Sequence, residues 1–145
     1  TQPIEINLTV KSLGELGNGS SGKVSLHPLT TGDFHLWLSS SGNVEIEGIQ
    51  ADRITAELSS SGEILVEGTA KQLDLSLSSS GNFQGEDLQV QDAEVRLSSS
   101  GNATVWALES LDVNISSSGN VTYYGNPRVN ENITSSGRLI SRGDK

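Results

Sequence analysis

The sequence predicts an all-β fold of one kind: a single-stranded, right-handed parallel β-helix, or β-solenoid, of about 18–20 residues per coil and six to seven coils. Three observations predict it. Ser-Ser-Gly recurs with its glycine at Gly22, Gly42, Gly62, Gly81, Gly101, Gly119 and Gly137, at intervals of 20, 20, 19, 20, 18 and 18 residues. Between those glycines apolar and polar residues alternate with period two, as in strands with one buried face. No stretch sustains a helical period.

Each element follows from that pattern. Ile4, Ile6, Leu8 and Val10 form an opening strand. After Gly42 come Val44 and Ile46, then Gly48, then Ile54, Ala56 and Leu58. After Gly62 come Ile64 and Val66, then Gly68, then Leu73, Leu75 and Leu77. Phe83 and then Ala93, Val95 and Leu97 follow Gly81; Ala103 and Val105 and then Leu111, Val113 and Ile115 follow Gly101. Each unit therefore reads strand, turn, strand, corner. A constant period favours stacked coils over a meander of hairpins, because in a stack every corner occupies the same place. Parallel crossovers set the right hand. Glycine is expected at the corners for its unusual backbone angles, and serine for local hydrogen bonds to the turn. Seven corners at about 4.8 Å spacing make a rod of roughly 30–35 Å.

Composition narrows the class. In 145 residues, Leu, Val, Ile and Phe number 38, about 26%, enough for one core above the roughly 20% typical of disordered chains. With four other aromatics in the whole chain, that core must be aliphatic. A net charge of -9 with nine Lys and Arg argues against nucleic acid as a partner. No apolar run nears the ~20 residues of a transmembrane segment, and no signal peptide opens the chain. The absence of cysteine excludes disulfides and thiolate metal sites. One domain is expected over 1–145: an opening strand and first corner at 1–21, regular coils at 22–136, and a last strand and tail at 137–145.

The Ser41-Gly42-Asn43-Val44 pattern and its copies resemble the auto-transporter adhesin head GIN domain family. So do Val121-Thr122-Tyr123-Tyr124-Gly125-Asn126-Pro127 followed by Ser135-Ser136-Gly137, and the early segment from Val10 to Leu16. The resemblance covers nearly the whole chain. It implies a bacterial β-solenoid that is secreted, at the cell surface or periplasmic, with a signal peptide and further N-terminal strands. Those are missing here, so a trimmed or processed chain is expected. The family name carries no established activity.

Candidate chemistry is sparse. The serine triplets lack nearby bases: the two histidines, His27 and His35, lie near one end, and identical serines recur in coils without histidine, so a corner role outweighs a nucleophile. Asn43, Asn82, Asn102 and Asn120 follow their glycines and align along one edge, as a hydrogen-bonded ladder or, less simply, a ligand contact. Glu47 and Glu67 could stack one coil apart and attract a cation, but the Gly-Gly-x-Gly-x-Asp calcium repeat is absent, and a solvated acidic face is the bland alternative. Glu45, Glu57, Glu63, Glu86 and Asp87 add further carboxylates for glycosidic cleavage, and nothing selects a pair. No cofactor or metal is expected. Trp106 and Tyr124, each five residues past its glycine, and Trp37 on another strand, are expected to point outward, where they could contact a sugar or a partner protein; an edge covered by a loop, or simple surface tolerance, is the plainer alternative. Arg142-Gly143-Asp144 matches a cell-adhesion tripeptide, and a match of three residues is cheap.

The expected function is therefore a non-enzymatic extracellular or cell-envelope structural or adhesive protein. It would act through solenoid faces or ends, on cell-surface glycan or protein, or on itself, stacking head to tail into filaments. The alternative is a polysaccharide-binding or polysaccharide-active β-helix.

Overall fold

The computed structural model describes residues 5–8, 15–19, 22–26, 29–39, 41–59 and 61–145. It is a stack of about six coils of parallel β-strand. Eleven strands follow one another: β1 (Glu5–Leu8), β2 (Glu15–Asn18), β3 (Lys23–Leu26), β4 (Leu29–Leu38), β5 (Asn43–Leu58), β6 (Glu63–Leu77), β7 (Asn82–Leu97), β8 (Asn102–Ile115), β9 (Asn120–Tyr124), β10 (Arg128–Ile133) and β11 (Arg138–Ser141). Ile4 and Val10 of the expected opening strand, Ser20 and Ser21 of the first corner, and His27 lie outside the described residues.

Every described pairing is parallel and joins a residue to its equivalent one coil away. One arm of the coil stacks β1, β3, the first half of β5 to β8, then β9 and β11. The other stacks β2, β4, the second half of β5 to β8, and β10. The long strands β5 to β8 run through both arms and bend at an elbow between them.

Alternation puts one residue in two inside. Val44, Ile64, Phe83, Ala103 and Val121 form one inward column, and Leu38, Leu58, Leu77, Leu97 and Ile115 another, all at 1% exposure or less. Phe34 and Phe83 are the large rings of an otherwise aliphatic interior. Burial of one such side chain stabilises by about 1.5–3 kcal/mol. Each coil shares this interior with its neighbours, so the core is continuous along the rod.

The two bends of a coil are built differently. At the serine corner, the hydroxyls of Ser99, Ser117 and Ser135 donate to the carbonyl of the equivalent serine one coil away: Ser79, Ser99 and Ser117. The same hydroxyls accept from the N–H of Gly101, Gly119 and Gly137 at 3.4–3.5 Å. The corner glycines do not adopt the unusual backbone angles expected of them. Among the described glycines, positive φ occurs at Gly48, Gly68, Gly125 and Gly143 instead, and the first three belong to the elbow. What the corner requires is space: a Cβ on Gly101 would lie 2.5 Å from the Gly81 carbonyl oxygen and 2.7 Å from that of Ser79.

The elbow also absorbs the variation in period. Register shifts fall between Ile46 and Ile49, Leu65 and Glu67, Gly85 and Gln89, and Val90 and Asp92. Gly85 faces Val105 and Gln89 faces Trp106, so Glu86, Asp87 and Leu88 bulge from the ladder against β8. The serine corners keep register throughout.

Candidate functional site

The elbow carries the most distinctive surface. Thr30, Gln50, Thr69 and Gln89 stand in register on four successive coils, and Gln89 pairs in turn with Trp106 and Trp106 with Tyr124. One line along the rod therefore reads hydroxyl, amide, hydroxyl, amide, indole, phenol. At about 4.8 Å per coil its five steps span about 24 Å. Beside it runs a row of small residues, Ala51 and Ala70, leading to the buried Val90. Beyond that row Lys71 and Asp52 pair at 3.0 Å. A groove of 840 Å³ lies along these rows, and Leu108, which is 41% exposed, also lines it. Small floor residues between longer flanking ones create the depression.

Trp106 and Tyr124 share this line, as their equal spacing from Gly101 and Gly119 suggests, but neither ring is bare. Both are half-buried. The ammonium of Lys145 stands 5.3 Å from the Trp106 ring centre and 5.4 Å from that of Tyr124. The same group bonds to the Asp87 carboxylate and the Glu86 carbonyl. Tyr123 takes the inward alternate and packs against the core, in register with Val105. Trp37 lies apart, on β4 in the other arm. Its Nε1 donates to Glu15 at 3.1 Å, and its indole covers Gly17 so closely that an added Cβ would sit 2.0 Å away.

The asparagine edge divides in two. Asn120 donates to Asn102, and Asn102 to Asn82, each at 3.3 Å. Asn43 stands two coils beyond Asn82 and faces Lys23 on one side and, on the other, the intervening Glu63, whose carboxylate accepts from Gln84. His35 bonds to Glu57 at 2.9 Å on the outer face of its arm, while the described middle serines of the corners bond to backbone. Glu67 is in register with Asp87, and Glu47 falls in a register shift. Among the described residues, no helix is long and apolar enough to cross a membrane.

Sequence reasoning missed the groove and the lysine. The outward Thr and Gln positions look like ordinary polar alternates until their register is known. Lys145 had one signal: it is the only lysine after Lys71, in a chain whose two outward rings fall in consecutive coils.

A rod whose interior is filled and whose elbow carries a long, regular polar line is an extended-surface protein. The chain belongs to the family described as "Putative auto-transporter adhesin, head GIN domain", whose model matches residues 1–127. That description places its members at the cell surface or outside the cell. No curated protein matches the chain. Two solved structures from Parabacteroides distasonis are similar to it. One, described as a "Putative lipid binding protein", shares 33% identity and a TM-score of 0.70, covering 95% of this chain and 52% of that one. The other, described as a "putative adhesin", shares 22% identity and a TM-score of 0.71, covering 94% of this chain and 62% of that one; that likeness is one of fold. The chain thus spans between half and two thirds of the length of these neighbours.

Proposed function

We propose that the chain is a non-enzymatic, adhesin-type binding module whose working face is the elbow groove, and whose ligand is a cell-surface glycan chain. One observation carries the reading: the in-register line Thr30, Gln50, Thr69, Gln89 beside an 840 Å³ groove. Alternating hydroxyls and amides offer donors and acceptors at the coil repeat, which suits a linear polymer with many hydroxyls. The small floor lets sugar rings approach the backbone. A description of adhesin type in the family supports surface contact rather than catalysis. Lipid binding, the description of one neighbour, has less support here, because Phe34, Phe83 and the aliphatic columns fill the interior and an acyl chain would have to displace them.

The test is a glycan microarray of bacterial and host surface glycans, probed with the native chain and with Gln50→Ala/Gln89→Ala. Binding by the native chain, weakened at least about tenfold in the double variant and unchanged in Glu131→Gln on the last rung, is expected, since few contacts carry most of a binding energy. No binding across the array, or binding indifferent to the two glutamines, overturns the reading.

Head-to-tail stacking is a second reading, favoured by the open last rung. There Val129 is 37% and Ile140 36% exposed, and the outer edges of β10 and β11 end the sheet. Glu131 opposes it. It stands in register with the buried Val113, and an inward-column charge on an edge discourages a further strand. Light scattering over a concentration series, with Glu131→Val as the variant, separates the two. Growth of particles in Glu131→Val alone identifies the glutamate as a block to stacking; growth in the native chain supports filaments.

A further inference from the structure

The lysine at the rings carries an inference that does not depend on how the groove is used. We infer that the Asp87 carboxylate, the Glu86 carbonyl and the faces of Trp106 and Tyr124 form a recognition site for a primary alkylammonium, filled here by the chain's own Lys145 and open to another lysine side chain when the tail lifts.

Each part of the site has a structural cause. The bulge of Glu86, Asp87 and Leu88 out of the ladder against β8 frees a carboxylate and a carbonyl to point at a common guest. Register places Trp106 directly beside Tyr124 on the next coil, which supplies two ring faces. Both ring centres lie within the ~6 Å at which a cation is attracted to an aromatic face. A carboxylate, a carbonyl and two rings together satisfy the charge and the N–H donors of an ammonium. A neutral amide or hydroxyl would use the hydrogen bonds and gain little from the rings.

The occupant is held by a short path. β11 pairs with β9 over four residues. Beyond it, Arg142 donates to the Tyr123 carbonyl and Gly125 to the Gly143 carbonyl, each at 2.9 Å. Gly143, with φ of 80° and nothing within 4 Å of an added Cβ, turns the chain there. The tail is exposed along this path. Segments with few buried contacts open locally far more often than the core. A tethered lysine competes with a free one through its high effective concentration, so the site is closed to outside ligands until the tail leaves.

The experiment uses the full chain and its Lys145→Gln variant, with Nα-acetyl-lysine methylamide as the probe and the Trp106 indole N–H resonance as the readout. In Lys145→Gln the resonance should move saturably, with an affinity at least about tenfold tighter than in the native chain. The Nε-acetylated probe, which has no charge, should leave it in place. Adding Asp87→Asn to Lys145→Gln should weaken the response at least about tenfold while the Trp37 indole resonance stays unchanged, which marks an intact fold. If the variant gives no saturable shift, or responds alike to charged and acetylated probes or with Asp87→Asn, the inference falls.

Discussion

At Gly101 a hydrogen occupies the place where any other residue would carry a carbon, 2.5 Å from one carbonyl oxygen of the neighbouring coil and 2.7 Å from another. Both obstacles are backbone and cannot swing aside. Gly101→Ala should therefore cost about 1–3 kcal/mol by chemical denaturation, as overpacking against fixed atoms does. Gly32 sits within a strand, its nearest contact 3.9 Å from an added Cβ, and Gly32→Ala should fall within about 0.5 kcal/mol of the native chain. Equal effects at the two sites would refute the steric account. The periodicity of Gly81, Gly101 and Gly119 marked the corners in the sequence, but it could not reveal why glycine is there. Backbone angles and crowding by the next coil leave the same letter. The left-handed angles went to Gly68 and Gly125, at the bend whose sequence varies.

Between residues and rod lies the corner as a unit. Ser99 links two coils through its hydroxyl, which donates to the Ser79 carbonyl and accepts from the Gly101 N–H. Ser100, next in the chain, is exposed. Ser99→Ala should destabilise by about 0.5–1.5 kcal/mol, the net worth of an ordinary hydrogen bond, and Ser100→Ala by less. Thermal or denaturant melts of the two variants check this, and a larger loss at Ser100 would mean the corner is read backwards. Strand positions and inward columns were legible because Val44, Ile64 and Phe83 repeat the same period-two order. The elbow was not. The bulge from Glu86 to Leu88, offset by one extra residue of β8 between Ala107 and Ser110, lets a coil of 20 residues match one of 18, and where that mismatch is absorbed has no mark of its own in the sequence. The contact of Lys145 with Asp87, 58 residues away, depends on that bulge and on the course of the tail.

Along the whole rod, each coil rests on two neighbours except at the ends. Strands β5 to β8 have partners on both edges in both arms, while β10 and β11 are paired on one edge only. Hydrogen exchange should accordingly be slowest at Ile54, Leu75 and Val95 and fastest at Asn130 and Ile140, falling off by position along the rod rather than by residue type. Uniform protection from Val44 to Ile140 would contradict a stack of semi-independent coils. The all-β class, the parallel stacking and the family were legible at this scale, since a repeat of seven copies fixes them together. The elbow line was not, because it exists only where four outward positions from different coils come into register. Amide chemical-shift mapping of the native chain with a glycan captured on the array would locate the binding face residue by residue. The account expects shifts at Thr30, Gln50, Thr69 and Gln89, along the elbow and in that order of register. Shifts confined to the outer face of the other arm, around Arg53, Asp74 and Glu94, would contradict it.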